Sequence, residues 1–198
     1  TVARPPYPPG KEWRLIDSPH YRIIFPAGAE EAAATAAQAA EYAAVRVASD
    51  LETEFRPLPL ILNTGARMSN GYFSLAPRRS LWYGYGGQRQ FAGPVDWYTL
   101  LALHEGRHAS QFSALNRGFT RIARWAAGEY GWSFMAFYSM PLWYFEGDAI
   151  LAETIYSGAG RGRSASFHRE LRAIAVEEQD ISYSQAYLGS YRRHFPNH

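Results

Sequence analysis

The feature that most limits how this chain can fold is an apolar helical stretch with two histidines and a glutamate in its middle, TLLALHEGRHASQF (residues 99–112). His104 and His108 are one helical turn apart, so they lie on the same face with Cβ atoms about 5–6 Å apart. Glu105 lies about 100° further round the helix. The surrounding leucines predict burial in a core, where three polar side chains need specific partners.

Two imidazoles at this spacing can both reach one metal ion, and Glu105 is placed to contact a water beside it. This is the H-E-x-x-H pattern, in which two histidines bind zinc and the glutamate is a general base. The alternative is a chance combination of core residues, for which a chain with six histidines gives roughly 0.01 expected occurrences. Gly106 favours the zinc hypothesis, because glycine within a helix costs about 1 kcal/mol relative to alanine and indicates close packing.

A catalytic zinc site needs a third protein ligand and an open position. The metzincin continuation requires glycine and histidine where this chain has Gln111 and Ala114, so that pattern is excluded. The remaining candidates are Glu129, Glu146, Asp148, Glu153 and His168.

Glu146 is the favoured ligand among these candidates. Pro141 suits the first turn of a helix over 141–157, and Glu146 follows about one turn later on a fixed element. Glu129 is the weaker alternative, because it stands between two glycines where no rigid element would hold it. Glu153 shares the face of Glu146 two turns on, and we predict that it orients a ligating histidine.

HEGRH (104–108) and WYFEGDAILAE (143–153) together resemble the gluzincin zinc metallopeptidases, whose second motif runs W-x-x-E-G-x-A with another glutamate seven positions after the ligand. The resemblance implies peptide-bond hydrolysis, with His104, His108 and Glu146 as zinc ligands and Glu105 as catalytic base. The chain is most similar to bacterial peptidase-MA-like domains that precede TolB-type propellers. This implies an extracytoplasmic location (periplasmic, cell-surface or secreted), a peptide or protein substrate and a C-terminal partner domain.

The order of elements predicts an α+β fold in a single domain over 1–198. The sheet-containing part spans about 12–95, with strands at 21–26, 56–63 and twice within 70–87, and an alanine-rich helix at 28–55. The helical part spans about 96–198, with helices predicted at 97–116, 118–138, 141–157, 164–178 and 183–194. With the gluzincin resemblance, this implies a thermolysin-like catalytic domain with a small N-terminal mixed sheet.

Composition excludes several classes of function. The chain has no cysteine, which excludes disulfides, cysteine-ligated zinc and a thiol nucleophile. No apolar run approaches the roughly 20 residues of a transmembrane helix. The net charge is +2, and the arginine pairs are short and separated, so we expect no nucleic-acid partner. The opening TVARPPYPPGKEW suits a mature N-terminus, and the abrupt ending SYRRHFPNH suggests that the natural polypeptide continues.

Gluzincins commonly use a downstream tyrosine or histidine to stabilise the transition state. Tyr187 is our first candidate by its distance from Glu146; the others are Tyr183, Tyr191, His194 and residues beyond 198. Residues 80–85 are predicted to form a strand edge for an extended peptide, and the resemblance places NGYFS (70–74) near it. Two rival functions remain, a non-catalytic zinc-stabilised binding module and an aromatic-rich carbohydrate-binding module.

Overall fold

A computed structural model describes residues 10–65, 70–84, 95–178 and 182–184. The architecture is α+β, as predicted. The first part contains β1 (Trp13–Asp17), β2 (Tyr21–Pro26), α1 (Glu30–Ser49), β3 (Leu58–Asn63), β4 (Gly71–Leu75) and β5 (Arg78–Tyr83). The second contains α2 (Trp97–Ala114), α3 (Gly118–Ser139), α4 (Leu142–Ser157), a 3-10 turn (Arg161–Arg163) and α5 (Arg169–Val176).

The strands form one mixed sheet in the order β1-β2-β3-β5-β4. The pairs β2–β3 and β3–β5 are parallel, whereas β1 and β4 pair antiparallel with β2 and β5. β1 was not predicted, and the reason is that its side chains are mostly exposed, so its sequence WRLID lacks a pattern of burial. Among the described strands, β1 and β4 are therefore the two sheet edges.

The main core lies between the sheet, α1 and α2. The alanines of α1 are fully buried at positions such as Ala36, Ala40 and Ala43, and their small side chains let this helix approach its neighbours closely. Gly106 on α2 lies at this contact: a Cβ there would be 3.4 Å from Val47 of α1 and from the Tyr21 hydroxyl. Neighbouring side chains therefore pack against Gly106, but at ordinary van der Waals distances that an alanine would also allow.

Asp96 caps α2 by accepting a 3.1 Å hydrogen bond from the Thr99 backbone N–H.

Three predicted helices differ from the structure. α1 ends at Ser49, before Glu52 takes a positive φ of 49°. α3 is kinked at Ala127 and Gly128, which have non-helical backbone angles.

The helix predicted at 164–178 covers only Arg169–Val176, because residues before it form turns. The helix predicted at 183–194 lies almost entirely outside the described residues.

Across the part of the chain that the structure describes, no helix combines the length and hydropathy needed to cross a membrane.

Candidate metal centre

The candidate centre lies where α2 and α4 pack together. The side chains of His104 and His108 project from consecutive turns of α2, and Glu146 reaches them from the second turn of α4. The two imidazole Nε2 atoms are 3.3 Å apart. Glu146 Oε2 lies 3.3 Å from His104 Nε2, and Glu146 Oε1 lies 3.6 Å from His108 Nε2.

Zinc bonds of about 2.0–2.1 Å at tetrahedral angles separate two ligand atoms by about 3.3–3.4 Å. The two imidazole nitrogens have this spacing, and each of them lies 3.3 or 3.6 Å from a different oxygen of Glu146. Two imidazole nitrogens and one carboxylate oxygen are also a donor set that zinc prefers. Among the described residues, these three are the group of histidines and carboxylates whose ligand atoms converge closely enough to hold a metal ion.

The ring orientation of His104 is fixed by Glu153. His104 Nδ1 donates a 2.6 Å hydrogen bond to Glu153 Oε1, so when His104 is neutral its lone pair is on Nε2, which faces Glu146 and His108. The Glu153 carboxylate is almost fully buried and also forms an ion pair with Arg161. Glu153 therefore lies where a carboxylate that orients a metal-binding histidine is expected.

The ring orientation of His108 is fixed by Gln111. The Gln111 amide nitrogen donates to the Phe145 carbonyl at 3.0 Å, which turns its oxygen towards His108. His108 Nδ1 then donates to Gln111 Oε1 at 2.9 Å, and its Nε2 keeps a lone pair. Both histidines thus present Nε2 to the same position.

Buried charges at this position shift several pKa values. Burial opposes protonation of His104, but its hydrogen bonds with Glu146 and Glu153 outweigh burial and raise its pKa to about 9. Burial and the positive charge of His104 lower the pKa of His108 to about 4. The hydrogen bond with His104 lowers the pKa of Glu146, so this carboxylate is ionised at neutral pH.

Glu105 is buried beside the same histidines, with 5% of its surface exposed. Burial raises its pKa to about 7, and the negative charge of Glu146 adds to this effect. His104 and the backbone amide of Phe73 in β4 act in the opposite direction. A carboxyl group that titrates near neutral pH is suited to accept and release a proton.

Sequence reasoning missed a polar network behind the histidines. Arg107 donates to both carboxylate oxygens of Asp148 at 2.7 and 2.9 Å, to the Val47 carbonyl at 2.8 Å, and to Asp50. Because these partners lie on α1 and α4, Arg107 ties both helices to α2. In the sequence, only the position of Arg107 inside HEGRH marked it for attention. Its partners could not be found locally, because they are 41 to 60 residues away along the chain.

Arg161 was also missed, since the sequence shows it only as part of the short basic segment RGR. Its guanidinium binds Glu153 and lies 2.8 Å from His104 Nδ1, so one carboxylate receives two donors. The 3-10 turn that carries Arg161 is held against α4 by a 3.2 Å hydrogen bond from the Gly162 N–H to the Thr154 hydroxyl.

The side chains of the remaining candidate third ligands bind partners away from the two histidines. Glu129 accepts a 3.0 Å hydrogen bond from the Arg78 backbone N–H, so its carboxylate is not the third ligand beside the two histidines. Asp148 is held by Arg107 and Gln111. His168 is bonded through Nε2 to the Gly162 carbonyl at 2.8 Å.

The predicted substrate-pairing strand at 80–85 is wrong. Its described part belongs to β5, which lies between β3 and β4 with both sides paired, and Trp82 is fully buried. Next to β5, the edge of the described sheet is instead β4, which shares residues 71–74 with NGYFS. Tyr183 hydroxyl accepts a 2.9 Å hydrogen bond from Trp143 Nε1, whereas Tyr85, Tyr187, Tyr191 and His194 lie outside the described residues.

No family model, no curated protein and no solved structure matches this chain.

Proposed function

We propose that this chain is a zinc-dependent peptidase domain of the gluzincin type, with a thermolysin-like arrangement of sheet and helices. The observation that carries this proposal is the convergence of His104, His108 and Glu146, whose ligand atoms lie within 4.8 Å of one another with the two imidazole nitrogens 3.3 Å apart. The separate orientation of each histidine by Glu153 and Gln111 supports it, because a metal-binding histidine almost always donates its other ring N–H to a partner of this kind.

Zinc bound at these side chains would lower the pKa of a water to about 7 and polarise the scissile carbonyl. In the proposed reaction, Glu105 takes a proton from the attacking water and passes it to the leaving amine. In the metal-free protein burial raises the pKa of Glu105 to about 7, and a zinc ion beside it would favour the ionised form that accepts the proton. Burial limits access of bulk water to Glu105.

The substrate is proposed to add to the sheet at β4. This strand is an edge among the described strands, so one side of its backbone can pair with an extended peptide. β4 packs tightly against α2: a Cβ at Gly71 would lie 2.7 Å from Leu101. The backbone amide of Phe73 adjoins Glu105, so a peptide on this edge lies beside the proposed base.

The experiment that tests the proposal combines metal analysis with hydrolysis of a mixed peptide library. We expect about one zinc per chain, peptide cleavage by the native protein, and loss of cleavage with retained zinc in Glu105→Gln. Glu146→Gln should lose both zinc and cleavage, because it removes a ligand. Glu129→Gln is the matched control, since it changes a half-buried glutamate that binds the Arg78 backbone and should leave both properties intact.

Equal cleavage by the native protein and Glu105→Gln would refute the proposed base. Zinc binding without any cleavage would favour the non-catalytic zinc-stabilised module. Absence of zinc after reconstitution would refute both.

A further inference from the structure

Directly after α4 the chain turns back and packs against the helix that it has just left. α4 ends at Ser157, and Gly158 follows with a left-handed φ of 69°. Residues 160–164, which include the 3-10 turn Arg161–Arg163, then lie on the last turns of α4; we call them the return turn. A loop that only connected α4 to α5 would need no such packing, so these contacts indicate a further role.

Two glycines allow the return turn to lie so close to α4. A Cβ at Gly160 would be 3.1–3.2 Å from the backbone and Cβ of Glu153, and the φ of Gly160 is 78°, in the left-handed region that favours glycine. A Cβ at Gly162 would lie 2.5 Å from Thr154 Oγ1. This oxygen is held in place by its 2.7 Å hydrogen bond to the Ile150 carbonyl. A larger residue at 162 would therefore lift the return turn from the helix.

Hydrogen bonds hold the return turn from two sides. Towards α4, the Gly162 N–H donates to Thr154 Oγ1 at 3.2 Å, and Arg163 Nε donates to the Thr154 carbonyl at 3.3 Å. Towards α5, His168 Nε2 donates to the Gly162 carbonyl at 2.8 Å. Arg161, between the two glycines, is thereby presented from a fixed backbone.

The return turn covers Glu153, the carboxylate that contacts His104. Only 3% of the Glu153 side chain is exposed. Arg161 donates to this carboxylate through Nε at 3.2 and 3.3 Å and through Nη2, while His104 Nδ1 donates to its Oε1. A glutamate side chain that is open to water has several rotamers. Between these two donors the Glu153 carboxylate is held in one of them.

We propose that the return turn is a positioning element of the candidate metal centre, with Gly160, Arg161 and Gly162 as its positioning residues. The return turn keeps water from Glu153 and holds its carboxylate against His104, so that His104 keeps the orientation in which Nε2 faces Glu146. Partners of this kind set the orientation and the metal affinity of a ligating histidine. The inference rests on the proposed zinc function.

His108 gives an internal comparison, because its orientation does not depend on the return turn. His108 Nδ1 donates to Gln111 on the same helix at 2.9 Å, and the Gln111 amide donates to the Phe145 carbonyl. A turn that only stabilised the fold would affect both histidines alike. A turn that positions Glu153 affects the orientation of His104 alone.

The test measures, by nuclear magnetic resonance of the metal-free protein, how fast the Nδ1 protons of His104 and His108 exchange with water. In Gly162→Ala the added methyl group displaces the return turn, so we expect the His104 proton to exchange at least about tenfold faster and the His108 proton at its native rate. Zinc affinity, measured by competition with a chelator, should fall about 10–100-fold. Adding Thr154→Ala to Gly162→Ala should restore most of this affinity, because it makes room for the methyl group.

The matched control is Gly118→Ala at the start of α3. It adds the same methyl group at a positive φ of 53°, with no atom within 4 Å, and should change neither measurement. Native exchange at His104 together with native zinc affinity in Gly162→Ala would overturn the proposal, as would equal acceleration at both histidines. If the native protein binds no zinc, the proposed function fails, and the exchange rates still decide whether the return turn positions His104.

Discussion

Replacing Glu153 by glutamine removes the negative charge of this side chain but keeps its size and a hydrogen-bond acceptor for His104. Glutamine can still accept the hydrogen bond from His104 Nδ1, which is 2.6 Å in the native protein, but it carries no charge. It also leaves Arg161 without its carboxylate partner, close to the proposed cation. Mutation of a carboxylate that binds a metal-ligating histidine costs about 10–100-fold in metal affinity, which equals about 1.4–2.8 kcal/mol of binding free energy.

The assay for Glu153→Gln is a competition titration of zinc against a chromophoric chelator. Glu170→Gln, an exposed glutamate on α5, is the control and should bind zinc like the native protein. The double variant Glu153→Gln with Arg161→Gln should recover part of the lost affinity, because it removes the uncompensated positive charge. A zinc dissociation constant for Glu153→Gln within about twofold of the native value would contradict the expectation that the negative charge of Glu153 strengthens His104 as a metal ligand.

Three further predictions concern proton release, the network behind the site and the start of α2. His104 has a pKa of about 9 without metal and must lose its proton to bind zinc. Zinc affinity should therefore rise as pH increases towards 9, and calorimetry in buffers of different ionisation enthalpy should show about one proton released at pH 7. Arg107→Met should lower the free energy of unfolding by about 3 kcal/mol in urea titrations, because it leaves Asp148 partly buried without a cation; an unchanged midpoint would contradict this. Asp96→Ala should cost about 1 kcal/mol in the same assay, since it removes the α2 cap, whereas a loss above about 3 kcal/mol would indicate another role.

Much of the α+β layout could be predicted from local sequence. Alanine content predicted α1, and β-branched and aromatic runs with proline boundaries predicted β2 and β3. β1 could not be predicted, because an edge strand with exposed side chains has no burial pattern. The order of strands depends on pairings between distant residues, which is why residues 80–83 were expected at the edge and lie in the interior.

The residues of the candidate site were predictable where helical spacing decides which side chains share a face. The separation of four between His104 and His108, and of seven between Glu146 and Glu153, placed each pair on one helix face. Arg161 and the contacts of Arg107 were not predictable, because they depend on how α4 and the following turn pack against α2.

X-ray absorption spectroscopy of the zinc-loaded protein would show whether His104, His108 and Glu146 bind one zinc ion. We expect two imidazole nitrogens and a carboxylate oxygen at about 2.0–2.2 Å, with one imidazole lost in His108→Ala. A zinc spectrum without imidazole scattering, or one that is unchanged in His108→Ala and Glu146→Gln, would contradict this expectation.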